Sequence, residues 1–325
     1  MKIETALPGF LTPDLLRAVL ERHWPLPADE TRIEPVPAGR HNASLFLTHP
    51  DRRGVLRIAP PDDAGFLFYE VRMMAQEPQI HQIVSEETSI PVPEVWTFDD
   101  TREILPRDFL ILERLPGEPL PPPGEGNPAA FDGVLRGLGG MVRQLHAITG
   151  PHFGYWGAHR PMEPERHWFN AFETMWGNLL ADIEDCGGYD PEETLRLRNL
   201  LYSQREAFPP LKKASLCHMD LWWENILVRD GRITGVLDWD RALWGDPEIE
   251  FAVLDYCGMS RPAFWEGYGA ERPKDGPAEV RRKFYVLYEL QKYIVIERRR
   301  RGNPEKAGVY RRAARKLQDE LEREG

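Results

Sequence analysis

Between a compact apolar run, Phe109–Leu112, and a helical stretch near Val134, the chain reads ERLPGEPLPPPGEGNPAA. Proline has no backbone N–H and breaks a helix interior, so this stretch belongs to neither a helix nor a central strand. It is a connection, and it separates two kinds of sequence. Before it, apolar residues alternate in short runs, as in half-buried strands. After it they recur at helical spacing. At 325 residues and 42% hydrophobic, the chain exceeds what one ordinary domain needs. The expectation is an α+β protein of two lobes: a small β-rich N-lobe over 1–116 and a mainly helical C-lobe over 117–325.

The front part opens with a helix from Pro13 to about Trp24, capped by Thr12. The stretch TRIEPVPAGRHNASLFLTHPDRRGVLRIAP then reads as a strand, a turn-rich loop and two more strands, with DRRG as the hairpin signal. Phe66 to Glu86 has helical composition, with Pro78 starting a new helix or kinking the first. SIPVPEVWTFD returns to strand. In the back part, VLRGLGGMVRQLHAI carries Val134, Leu138, Met141, Val142, Leu145 and Ile148 at helical spacing. A second amphipathic helix, VRRKFYVLYELQKYIVIERRR, ends in a basic turn with Gly302 as its cap. The run Arg298–Arg301 is expected to complement the helix dipole on a solvated face.

The N-terminus carries Glu4 and Asp14 where a secretory signal needs an apolar run, and no stretch reaches the length of a membrane span. A cytoplasmic protein is expected. Cys186, Cys217 and Cys257 are odd in number and lack CxxC spacing, which argues against a disulfide framework or a cysteine zinc site. His146 and His167 lack the spacing of a helical zinc motif and read as structural. A net charge of -11 speaks against nonspecific nucleic-acid binding and mildly favours cationic partners. Oligomeric state leaves no trace in the sequence.

The chemistry concentrates in HMDLWWENILV, residues 218–228. Asp220 and Asn225 stand five positions apart, the spacing at which a kinase catalytic loop carries its base and a magnesium-binding amide. The following ILVRDGRITGVLDWD reads as a hairpin turning at Asp230-Gly231, which returns Asp238 to the vicinity of Asn225. Mg²⁺ takes oxygen ligands, with one or two carboxylates and phosphate oxygens, so Asn225 and Asp238 make a chemically sensible pair.

With HMDLWWENILV, VLDWDRALWGDPEIEFAVLD, VRQLHAITGPHFGY, SIPVPEV and LERLPGEPL in order, the chain resembles the aminoglycoside phosphotransferase and choline kinase family over about Pro35 to Asp255. These are small-molecule kinases of the protein-kinase-like fold. The resemblance implies Asp220 as catalytic base, Asn225 and Asp238 as magnesium ligands, Asp240 as a supporting acid at the metal, and His218 as an organiser of the loop. It places Arg57 where the family generally has a lysine on the α/β-phosphates. A guanidinium keeps the charge but presents a planar fork. Glu77 is its expected acidic partner, with Glu70 in reserve. The segment around Arg40, His41 and Asn42 would cover the phosphates, although one glycine is too few for a glycine-rich fingerprint. The base would meet backbone groups near Glu113, Arg114 and Leu115. ATP is the default, with GTP open.

No long peptide-docking segment follows Asp240, so the resemblance implies a small-molecule hydroxyl as acceptor. Segments 159–176, 181–190 and 258–269 mix acids with aromatics, and Trp168, Trp176 or Trp265 could stack on a sugar or a cation. Glu250 replaces the aspartate common in the family's GDPxxD motif, a change expected to affect packing more than chemistry. The alternatives left open are an antibiotic kinase, a metabolic kinase for choline-like, amino-alcohol or sugar substrates, and a nucleotide-binding pseudoenzyme.

Overall fold

The computed structural model describes residues 1–4, 6–36, 42–62 and 65–324. The front of the chain forms β1 (Lys2–Ile3), α1 (Pro13–His23), β2 (Arg32–Pro35), β3 (Ala43–His49), β4 (Arg52–Ile58), α2 (Glu77–Glu87), β5 (Val95–Asp99) and β6 (Phe109–Glu113). After the proline-rich connection come β7 (Glu118–Pro119), α3 (Pro128–Ala147), β8 (Thr149–Gly150), α4 (Trp168–Asp185), α5 (Pro191–Ser203) and β9 (Ala214–Cys217). The chain closes with β10 (Ile226–Arg229), β11 (Arg232–Val236), β12 (Leu243–Gly245), α6 (Glu250–Tyr256), α7 (Pro262–Tyr268), α8 (Gly276–Val295) and α9 (Pro304–Glu324).

The front strands make one six-stranded sheet in the order β1-β2-β3-β4-β6-β5. Side chains alternate across it, so its two faces have different tasks. Leu45, Leu47, Leu56, Ile58 and Ile111 face α1 and form a core with Leu16, Val19 and Leu20. The other face carries Ser44, Phe46, Val55 and Arg57, because Ser44 pairs with Arg57 and Phe46 with Val55. Thr12 caps α1 by accepting from the Leu15 N–H, which fixes the helix start where the sequence placed it. The hairpin signal was one step late: His49 pairs with Arg52, so the turn is Pro50-Asp51 and Arg52–Gly54 are already strand. Phe66–Arg72 is not helical. It runs as turns into a short 3₁₀ segment, Met73–Gln76, and α2 starts at Glu77 with Pro78 in its first turn, where a missing N–H costs nothing.

The back part packs helices around a large apolar cluster that also takes in Leu67, Tyr69, Ile80, Val84 and Ile90 from the front. Helix α3 tolerates its glycines because α7 crosses it there. A Cβ on Gly139 would collide with the Phe264 carbonyl, and one on Gly267 with the Arg136 carbonyl. Trp168 and Trp176 are 2% and 1% exposed, inside this core, so neither can stack on a ligand. Their indole N–H groups donate to Tyr285 Oη and the Leu197 carbonyl. Trp265 is half-buried and donates to Ser260.

The basic run after α8 also departs from expectation. Ile296–Arg300 forms a π-helical turn, and its arginines are ties rather than a solvated face. Arg298 donates to the Cys186 carbonyl; Arg299 reaches the Phe66 carbonyl, Asp182 and Asp185; Arg300 pairs with Glu70. Asp182 and Asp185 of segment 181–190 are thereby engaged within the chain. All three cysteines are free, and no described helix is long and apolar enough to cross a membrane.

Candidate active site

The hairpin β10–β11 sets the site. Arg229 pairs with Arg232 around Asp230 and Gly231, both at positive φ, a two-residue turn whose twist matches the strands. The return strand brings the Leu237 N–H to the Asn225 carbonyl at 2.9 Å, and Asp238 follows in a left-handed conformation, φ 61°. A non-glycine residue held there is strained, and such strain persists only where the surroundings fix it. Met219, one residue before Asp220, is also left-handed, φ 66°.

Asp220 sits on the loop between β9 and β10 with 31% of its side chain open to solvent. The Asn225 side-chain amide donates to its carbonyl and to its Oδ2, each at 2.9 Å. Beneath the loop, His218 is buried: its Nδ1 accepts from the Asp220 N–H and its Nε2 donates to the Leu237 carbonyl. Burial lowers the His218 pKa against the pull of Glu250 and Asp220, which fits a neutral ring that pins the loop to the hairpin return.

Arg57 reaches across from the sheet to three carboxylates: Glu77 at 2.7 Å, Asp238 at 2.9 Å and Asp240 at 3.3 Å. Burial works to lower its pKa, and the three acids override it, holding the guanidinium above its ordinary value. Glu77 is fully buried. Burial pushes its pKa up, but Arg57 and His81 prevail and hold it below the ordinary carboxylate range. Asp240 moves the other way: burial and the nearby Glu77 push it well up against the pull of Arg57. Burial also raises Asp238, which keeps 44% of its side chain exposed and so feels that push less. Glu70 does not compete for Arg57; it accepts from the Leu67 N–H and pairs with Arg300.

The donor set suits a hard cation. Because the Asn225 amide nitrogen faces Asp220, its oxygen points elsewhere and has no hydrogen-bond donor among the described residues. Together with the half-exposed Asp238 carboxylate it offers the oxygen ligands that Mg²⁺ takes.

Of the remaining expected site residues, Arg40 and His41 lie outside the described residues. Asn42 immediately precedes β3 and borders a narrow cavity with Ala59, Met74 and Glu70, whose lining includes no residue of the Asp220 loop. Glu113 and Leu115 lie where β6 leaves the sheet. The Glu113 N–H bonds the Glu94 carbonyl, while the Leu115 N–H has no partner among the described residues.

Three contributors were not anticipated. Arg241, directly after the DWD sequence, is buried and donates to the Met219 carbonyl at 2.6 Å and to Glu289 at 2.8 Å, with Asp220 3.8 Å away. Gln76 donates to the Asp240 and Ala242 carbonyls, tying the segment before α2 to the chain that carries Asp238 and Asp240. Glu250, expected to matter for packing, accepts from the His218 N–H at 2.5 Å and the Met219 N–H at 3.0 Å. It caps the loop that carries Asp220. Position after a motif was the only hint for Arg241, Glu250 stood inside the GDPxxD motif but was read for packing alone, and Gln76 gave no hint.

Residues 32–282 match the model of the family described as "Phosphotransferase enzyme family". A probable ketoamine kinase from Vibrio parahaemolyticus is 26% identical over 214 residues, 64% of this chain and 69% of that protein. One from Vibrio cholerae is 35% identical over 79 residues, which is 24% of this chain and only 26% of that protein. Among solved structures, a thermostable mutant of aminoglycoside phosphotransferase APH(4)-Ia, in ternary complex with ADP and hygromycin B, superposes with a TM-score of 0.63. It covers 95% of this chain and 98% of its own at 18% identity, a likeness of fold. With most of its length matched by the family model and the protein-kinase-like fold shared, the chain belongs to the phosphotransferase enzyme family and is a small-molecule kinase.

Proposed function

We propose that this chain moves the γ-phosphoryl group of ATP to a hydroxyl of an amino-bearing small molecule, with Asp220 as the base. The observation that carries this reading is the Asp220–Asn225 unit: a solvent-facing carboxylate clamped by an amide whose own oxygen is left for a cation. An acceptor hydroxyl hydrogen-bonded to Asp220 would pass its proton there as its oxygen forms the new bond to phosphorus and ADP departs. Arg57, buried and permanently charged, would hold the phosphates from the sheet side. Asn225 and Asp238 would hold Mg²⁺, with Asp240 in support; the bound ion neutralises charge on the phosphate oxygens. Residues 1–116 would clamp the nucleotide and 117–325 would carry the chemistry, with the base against the backbone at Glu113–Leu115.

An amine on the acceptor is supported by the kinship to probable ketoamine kinases, by the hygromycin B held in the complex of the similar aminoglycoside phosphotransferase, and by the net charge of -11. The test is coupled ADP formation with Mg-ATP, and with Mg-GTP in parallel, against ketoamine sugars, aminoglycosides, choline, amino alcohols and neutral sugars. Turnover confined to amine-bearing acceptors and abolished by Asp220→Asn is expected. Equal turnover of neutral sugars would remove the amine from the reading, and an undiminished variant would remove Asp220 from the role.

A further inference from the structure

The two oxygens of the Asp220 carboxylate have different surroundings. Oδ2 accepts from the Asn225 amide at 2.9 Å, while Oδ1 accepts no hydrogen bond among the described residues. With Asp220 as the base, Oδ1 is the oxygen left for an acceptor hydroxyl. A buried cation stands beside it, because Arg241 Nη1 is 3.8 Å away. That is about 1 Å beyond the length of a charge-assisted hydrogen bond. A guanidinium that closed this gap would occupy Oδ1 and compete with the hydroxyl.

The guanidinium is held by two other groups. Its Nη1 donates to the Met219 carbonyl at 2.6 Å and its Nη2 to Glu289 Oε2 at 2.8 Å. Glu289 comes from α8 and is 1% exposed; its other oxygen, Oε1, pairs with Lys292, which is also buried and lies three residues further along the helix. Burial pushes the Glu289 pKa up, but Arg241 and then Lys292 prevail and hold it below the ordinary carboxylate range. Asp220, Arg241, Glu289 and Lys292 thus form a row of alternating charge that ends at the base. The phosphoryl transfer described above uses neither Glu289 nor Lys292.

We propose that Glu289 is a positioning residue: it keeps Arg241 drawn away from Asp220, and so leaves Oδ1 open to the acceptor hydroxyl. The inference rests on the reading of Asp220 as the base. Arg241 is bound to stay near that base, since its bond to the Met219 carbonyl supports the left-handed residue just before it. Removing one partner of a buried pair leaves an uncompensated charge, and in a medium of low dielectric that charge turns to the remaining group of opposite sign. For Arg241 that group is Asp220.

Three variants separate charge from packing. Glu289→Gln keeps the size and loses the charge, Glu289→Asp keeps the charge on a shorter arm, and Lys292→Met removes only the far partner of Glu289. A crystal structure of Glu289→Gln is expected to show Arg241 Nη1 within about 3.2 Å of Asp220 Oδ1. With Mg-ATP and the amine-bearing acceptor that the wild type turns over fastest, Glu289→Gln should lose about tenfold or more in kcat and the other two variants less than about threefold. The affinity for Mg–AMP-PNP, read by calorimetry, should change less than about threefold in all three. A packing role predicts the reverse order, because glutamine fits the space of glutamate better than aspartate does. An unchanged Arg241–Asp220 separation or undiminished kcat in Glu289→Gln, or parallel loss of AMP-PNP affinity, would each overturn the proposal. A loss of about tenfold in folded Glu289→Asp would do so even where Glu289→Gln does not fold. Failure of the phosphotransfer reading looks different: no acceptor is turned over by the wild type, or Asp220→Asn is undiminished, whatever position Arg241 takes in the crystal.

Discussion

The Asn225 side-chain amide donates to Asp220 Oδ2 at 2.9 Å, so the carboxylate that faces solvent and the amide oxygen that faces away from it are set by one hydrogen bond. Rotation of either side chain would disturb both. Asp220→Asn is expected to lower kcat by about a hundredfold or more, the usual scale of a lost general base, while the ATP affinity measured by titration stays near wild type. A variant with near wild-type kcat would mean that the hydroxyl is activated elsewhere.

Arg57 reaches Glu77 through Nη1 and both Asp238 and Asp240 through Nη2, a fork that a single ammonium cannot reproduce with the same geometry. Arg57→Lys should keep Glu77 paired and lose one of the aspartate contacts. A rise in KM for ATP of about threefold to tenfold is expected, consistent with one charge-assisted hydrogen bond. Steady-state kinetics at saturating acceptor measure it; an unchanged KM would show that the fork geometry is not used on the nucleotide.

Glu77 gives a pH signature. Its folded pKa lies below the ordinary 4.5, so its pairing contributes stability that is full above about pH 4.5 and is lost as pH falls through the folded value. Glu77→Gln should cost about 1–3 kcal/mol near neutral pH, the range for an impaired buried hydrogen-bonded group. Denaturant melts of both proteins from pH 7 down to pH 3 should show the gap constant at first and then closing in acid. A gap that widens in acid would contradict the sign of the shift.

Glu250 acts on Asp220 through the His218 and Met219 N–H groups, and Met219 holds a left-handed conformation. Glu250→Gln replaces one accepting oxygen with a donor, leaving one of those N–H groups facing another. A loss of about tenfold or more in kcat is expected with ATP affinity intact, with partial rescue by Glu250→Asp. Parallel loss of kcat and nucleotide binding would make Glu250 a general structural residue instead of a positioning one.

What could be read in advance was local. The spacing of Asp220 to Asn225, the Asp230-Gly231 turn and the acids at 238 and 240 all lie within 21 consecutive residues, where backbone geometry ties sequence distance to spatial distance. The proline-rich connection likewise separated a strand-rich front from a helical back, because proline breaks a helix interior or a central strand whatever surrounds it. The Pro13 helix and the start of α2 were legible from a cap and a proline for the same reason.

Partners distant in sequence were decided by tertiary structure. Whether Arg57 meets Glu77 or Glu70 depends on how α2 is carried against the sheet, and Glu70 is drawn off by Arg300, 230 residues away. Trp168 and Trp176 have the composition of a ligand wall and the burial of a core, since an indole suits either and only packing chooses. The arginines at 298–300 looked like a solvated helix end and became ties once their targets folded alongside. Local spacing alone picked out Asp220, Asn225 and Asp238 as candidates for the chemistry, because spacing within a loop and its hairpin is a local property. Which charges face one another across the cleft was settled only by the fold, because a charge takes the partner that packing brings within reach.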